Sequence, residues 1–294
     1  MLLKKITISI LSLVLCVASV EDSKAHVDPE MGTYKKTTAR LESVLENLNF
    51  NVHASIFRSR HNGFRDHKHY NRKRDNVLIV PEAAIPDSIT LVVWMHGLSG
   101  FSEKTFKRVL TQMNEITKRG HSIAVVIPEM PWSINTTTRR SRQGLVWNYP
   151  GEFDGFVNDT LEKLSSWSTS EYQLDIKNTN IVVVGHSAGG SAIASASSEG
   201  SLCDSRVTDV VWSDASYGKW LDKAYTGCLG DFSARSHILV RKWDSPYKNA
   251  EQFLQEDSKK REIYKYRVLS RKKYTHTKIG NKALLLTDLF PIGC

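Results

Sequence analysis

Ile181-Val182-Val183-Val184-Gly185-His186-Ser187-Ala188-Gly189 decides how this chain of 294 residues is read. Four apolar residues form a buried-strand pattern and run directly into a G-x-S-x-G. A serine at the apex of a sharp strand-to-helix turn lifts its hydroxyl into a cleft, and that turn tolerates only tiny residues two positions either side. The pattern alone arises by chance in roughly one chain in ten of this length, so its surroundings carry the specificity. Here they fit, because Ser191-Ala192-Ile193-Ala194-Ser195-Ala196 follows as a small-residue helix able to lie close on a sheet. Ser187 therefore reads as a nucleophile, against the plainer alternative of a structural turn with an inert serine.

Outward from this turn the chain alternates strand-like and helix-like patterns. Ser55 to Arg58 and Asn76 to Pro81 read as the first strands. Ile89 to Met95, Ile123 to Ile127, Ile181 to Val184, Val207 to Trp212, Ile238 to Trp243 and Tyr266 to Leu269 read as the strands that follow. Helical periods occupy Lys36 to Leu48, Lys104 to Thr117 and Phe153 to Trp167. Such alternation predicts an α/β fold with a mostly parallel central sheet and helices on both faces. Ligands bind such sheets at the carboxyl ends of the strands. The residues just past those ends are the loop His96-Gly97-Leu98-Ser99-Gly100, then Ser187, Asp214, Asp244 and His276.

A serine hydroxyl is a weak nucleophile at neutral pH and needs an imidazole to take its proton and a carboxylate to orient that imidazole. His276 is the expected base, because it follows the last strand within Tyr274-Thr275-His276-Thr277. The acid is Asp214 or Asp244, each following a strand. Backbone N–H groups of Leu98 and Ala188 are the expected oxyanion-hole donors.

The set Gly185-His186-Ser187-Ala188-Gly189-Gly190, Ser213-Asp214-Ala215, Asp244-Ser245-Pro246-Tyr247 and Tyr274-Thr275-His276 resembles the platelet-activating-factor acetylhydrolase-like branch of the α/β-hydrolase superfamily. The resemblance spans about Ile89 to Ile279 and is specific only at the elbow and in the order of the three polar positions. It implies the α/β-hydrolase fold, a Ser-Asp-His triad and Asp214 as acid. Ser213 stands where that branch has an apolar residue, and Tyr217-Gly218 also departs from it, so its substrate is not carried over.

The N-terminus reads as an export signal: Lys4 and Lys5, an apolar stretch from Ile6 to about Val20, then Ser23-Lys24-Ala25 with small residues at the cleavage-site positions. A cut after Ala25 gives a signal peptide over 1–25 and a single domain over 26–294. The reading implies a secreted or periplasmic protein with no integral membrane span after cleavage; the alternatives are an uncleaved anchor and a lipoprotein on Cys16, which lacks a small residue before it. Cleavage lowers the net charge from +9 to +8, since the segment carries Lys4, Lys5 and Lys24 against Glu21 and Asp22. That balance suits either a solvated basic surface or an anionic partner.

Arg58 to Arg74 is basic and carries His61, His67 and His69, but it has no finger or helix framework for nucleic acid and no metal-ligand spacing. No nucleic-acid partner, metal or cofactor is expected. In an oxidising compartment Cys203 and Cys228 form the natural disulfide, with Cys294 left over or an alternative partner. The loop from Met130 to Tyr149, with Trp132, Trp147, Arg139, Arg140 and Arg142, is the candidate lid, too short for a large cap domain. The expected activity is hydrolysis of a small ester or acylated substrate, with an anionic group on it as one option. Amide cleavage by the same triad, on peptide or cell-wall material, and a non-catalytic hydrolase-like binding protein are the alternatives.

Overall fold

A computed structural model describes residues 26–27, 34–47, 50–61, 74–82, 89–98, 100–130, 132–134, 141–143, 147, 149–167, 178–231 and 234–292. The signal segment, Cys16, His67, His69, Ser99, Arg139, Arg140 and Cys294 lie outside these residues.

The first half of the chain forms β1 (His26–Val27), α1 (Lys35–Leu45), β2 (Val52–Ser59), β3 (Arg74–Pro81), β4 (Thr90–Met95), α2 (Glu103–Lys118) and β5 (Ile123–Pro128). A small antiparallel hairpin of β6 (Trp132–Ile134) and β7 (Ser141–Gln143) precedes α3 (Glu152–Ser165). Then come β8 (Asn180–His186), α4 (Gly190–Ser198), β9 (Val207–Ser213), α5 (Trp220–Ala224), β10 (Arg235–Arg241), α6 (Ser245–Gln255), α7 (Ser258–Ile263), β11 (Tyr264–Leu269) and α8 (His276–Gly280). The strands join in one sheet of order β1-β2-β3-β5-β4-β8-β9-β10-β11. From β5 to β11 every neighbouring pair is parallel, whereas β3 runs antiparallel to both β2 and β5.

The central strands are apolar without alternation because helices cover both sheet faces. Leu91, Val93, Val183 and Trp212 point into one core with Phe153, Phe156 and Leu161 of α3, the small residues of α4 and Phe253 of α6. Val92, Trp94, Val125, Val182 and Val184 point into the other, against Leu41 of α1 and Phe106, Leu110 and Met113 of α2. Only residues 129–151 separate β5 from α3, and among the described residues no large cap domain covers the sheet edge.

Two sequence-based expectations need correction. The strand expected to reach Trp243 ends at Arg241, and a turn closed by Asp244 N–H on the Arg241 carbonyl at 3.3 Å follows it. Cys203 and Cys228 are both free thiols rather than a disulfide. Cys228 instead packs on Ser197, whose hydroxyl accepts from the Cys228 N–H at 3.3 Å and donates to the Ala224 carbonyl at 2.7 Å, with the sulfur 3.7 Å away. Burial and a hydrogen bond with the Cys203 thiol push the Cys228 thiol up to about 12.

Candidate active site

Ser187 sits just past the end of β8 with φ of +55°, in the left-handed region that L-residues avoid. The surrounding glycines are required by contact. A Cβ on Gly185 would stand 2.6 Å from Ile193 Cδ1, and one on Gly189 would stand 2.3 Å from the Met95 carbonyl oxygen. A Cβ on Gly190 would meet the Ala215 oxygen at 2.3 Å. The N-terminus of α4 is thereby wedged between the ends of β4 and β9, which fixes where the serine points.

The loop after β4 packs on the serine from the other side. A Cβ on Gly97 would lie 2.8 Å from Ser187 Cβ, so the backbone leading to Leu98 passes against the hydroxyl-bearing residue. His96 braces this loop: its Nε2 accepts from the Met130 N–H at 3.1 Å, which leaves Nδ1 to donate to the Gly97 carbonyl at 2.8 Å. Burial keeps this imidazole neutral and lowers it from 6.5 to about 4. Ala188, the first residue of the helical turn after the serine, is buried.

Asp214 follows β9 with φ of +49° and is 1% exposed. Its Oδ2 accepts from His276 Nδ1 at 2.7 Å, and its Oδ1 accepts from the Arg241 N–H at 3.4 Å. Asp244 is engaged elsewhere: it pairs with Arg241 and occupies the N-cap position of α6. His276 is the first residue of α8 and its side chain is 37% exposed, so the ring is reachable from solvent.

Two residues that the motif reading passed over complete the arrangement. His186 stacks on His276, with ring centroids 4.7 Å apart and planes 28° apart. Its Nδ1 donates to the Ser213 carbonyl at 3.0 Å, and burial, followed by the charge of Arg108, holds it well below the ordinary histidine range. Tyr217 brings its phenol to the Ser187 side chain. Burial and then the Asp214 charge raise its pKa, while the serine contact acts in the opposite direction. The sequence signal for both was position alone, directly before the serine and three residues after the aspartate. Among the described residues no group of three or more His, Cys, Asp or Glu side chains is placed to hold a metal ion.

The sheet order, the elbow and the residues at its carboxyl edge define the α/β-hydrolase fold. Solved structures of the same fold include a fluorophosphonate-binding serine hydrolase of Staphylococcus aureus, at TM-score 0.51 and 13% identity over 80% of this chain and 97% of that one. An IroE-like serine hydrolase of Shewanella oneidensis matches at 0.50 and 12% identity, covering 79% of this chain and 78% of its own. A ferulic acid esterase matches at 0.50 and 16% identity, covering 80% and 96%. No protein-family model matches the sequence, and no curated protein is significantly similar to it.

Proposed function

We propose that the chain is an exported serine hydrolase that cleaves carboxylic esters through an acyl-serine intermediate. The observation that carries this reading is the 2.7 Å contact of His276 Nδ1 with the buried Asp214 carboxylate, at the same sheet edge as the left-handed Ser187. A carboxylate only accepts, so it holds the proton on Nδ1 and leaves Nε2 free to take the Ser187 proton. The serine oxygen adds to the ester carbonyl. The resulting oxyanion is met by the N–H groups of Leu98 and Ala188, each such donor worth about 3 kcal/mol in comparable sites. His276 then returns the proton to the departing alcohol, and water, deprotonated by the same ring, releases the acid.

Asp214 as acid is also what the platelet-activating-factor acetylhydrolase-like resemblance implies, although that branch's substrate is not proposed here. The similar folds of esterases favour an ester over an amide. Export rests on the Lys4-Lys5 cluster, the apolar run and the Ser23-Lys24-Ala25 site.

A fluorophosphonate probe should label the protein and fail on Ser187→Ala, and p-nitrophenyl esters should be hydrolysed well ahead of the matching anilides. Folded wild-type protein that neither labels nor turns over an ester would overturn the proposal. Anilides cleaved as fast as esters would replace the ester reading with amide cleavage.

A further inference from the structure

Four described residues other than glycine have a left-handed backbone, and three of them lie past the carboxyl ends of neighbouring strands. Ser187 follows β8, Asp214 follows β9, and Trp243, with φ of +73°, lies two residues past β10. These are three successive parallel strands of one sheet. Ser187 and Asp214 are level with Val240 in the sheet register, so two strand spacings of about 4.8 Å and three residues of rise at about 3.3 Å put Trp243 roughly 14 Å from Ser187, further out on the same edge.

Trp243 is the third residue of the turn from Arg241 to Asp244, a position with positive φ that glycine fills without strain. The chain keeps an indole there and gains little burial from it: Trp243 is 60% exposed, whereas Trp94, Trp147 and Trp212 are at most 1% exposed. The left-handed backbone works against folding, and a ring left 60% exposed returns little burial to offset it. The turn is nonetheless held firmly. Lys242 N–H donates to the Leu269 carbonyl at 3.1 Å, and Arg241 N–H donates to Asp214 itself. Tyr247 meets the indole edge-on at 5.9 Å, and the Lys242 ammonium lies 4.9 Å from the ring centroid.

We infer that Trp243 is a specificity-determining residue: its indole is the platform on which a ring of the substrate, the plane of an aryl group or the C–H face of a pyranose, stacks while the ester lies at Ser187. The inference rests on the serine-hydrolase reading above. Ring stacking on an exposed tryptophan needs a fixed indole plane, and the braced turn with its Tyr247 contact supplies one.

The test compares kcat/KM for ring-bearing esters (benzyl acetate, a 6-O-acetylated methyl glucoside, and methyl 3-phenylpropanoate for a ring on the acyl side) with butyl acetate and methyl butanoate. Wild type should prefer at least one ring-bearing ester, and which one identifies the ring. In Trp243→Gly that preference should fall at least 10-fold, mainly through KM, while Trp243→Phe keeps most of it. Because glycine relieves the turn, Trp243→Gly should melt no lower than wild type. A wild type without ring preference, a preference that survives in Trp243→Gly, or a marked drop in its Tm would each overturn the inference, the last by making the indole structural. If Ser187 still takes the fluorophosphonate in those cases, only the platform is lost; if it does not, the serine-hydrolase reading falls as well.

Discussion

Asp214 is a carboxylate almost wholly removed from water, with one oxygen on His276 and the other on the Arg241 N–H. Replacing it with asparagine keeps the shape but allows an amide N–H to face the imidazole. The ring then carries its proton on Nε2, the nitrogen that accepts from the serine in the proposed mechanism. Asp214→Asn should therefore lower kcat by up to about 10⁴-fold, as in other serine triads, with the fold intact. Asp244 makes an ion pair with Arg241 in which both side chains are largely buried, at 18% and 23% exposure, and it does not touch the imidazole. Asp244→Asn should leave kcat within a few-fold of wild type. Ester turnover of the two variants, measured side by side, checks both statements, and near-normal turnover in Asp214→Asn would remove it from the mechanism.

At the scale of elements, the decisive contact is between α4 and the strand ends beside it. Gly189 faces the Met95 carbonyl so closely that a methyl group would sit 2.3 Å from a backbone oxygen, and no side-chain rotation relieves that. In Gly189→Ala the helix must shift, at a cost of about 1–3 kcal/mol of overpacking. The serine moves with it, so kcat/KM should fall by about 10²-fold, the loss that misplacing a reacting group by 1 Å brings. Gly200→Ala is the control. Gly200 has φ of +82° with open space around it, so alanine should cost about 1–2 kcal/mol of backbone strain and leave turnover alone. Urea unfolding together with ester kinetics separates the two effects. The elbow was legible in the sequence because its constraints are local: a strand, a turn needing small residues, and a helix of small residues. The parallel sheet was legible because strands buried on both faces lose their alternation. The end of β10 was not, since Trp243 has a strand former's side chain and a backbone angle that its residue type does not announce. Nor were the His186 stack on His276 and the contact of Tyr217 with Ser187, which join residues brought together only by the sheet. Cysteine spacing likewise said nothing of the burial that keeps Cys228 a thiol.

Taken as a whole, the molecule carries an excess of positive charge and buries part of its basic chemistry beneath the carboxyl edge of the sheet. Arg108 of α2 is 8% exposed, with Nε on Asn281 at 2.8 Å, and its charge opposes protonation of both His96 and His186. These two imidazoles are neutral in the folded protein and free to protonate once unfolded. Between pH 6.5 and about 4 the unfolded chain therefore binds protons that the native state refuses, so stability must fall as the pH falls. For His96 alone the loss approaches about 3 kcal/mol at the bottom of that window, and His186 adds in the same direction. Of the carboxylates held low by cations, Asp204 and Asp288 act at lower pH, because their protonation begins near the ordinary 3.8, while the exposed Glu256, held low by Lys260, acts in the same direction from near 4.5. Asp154, raised by burial, works the other way and offsets part of the fall. Unfolding free energy measured in urea at a series of pH values should thus rise from pH 4 to about 6.5 and then level off. In His96→Gln the slope should be shallower by close to one proton, even though the variant starts less stable. An unchanged slope in that variant would mean that His96 is already protonated in the fold, and that its hydrogen bond from the Met130 N–H does not hold in solution.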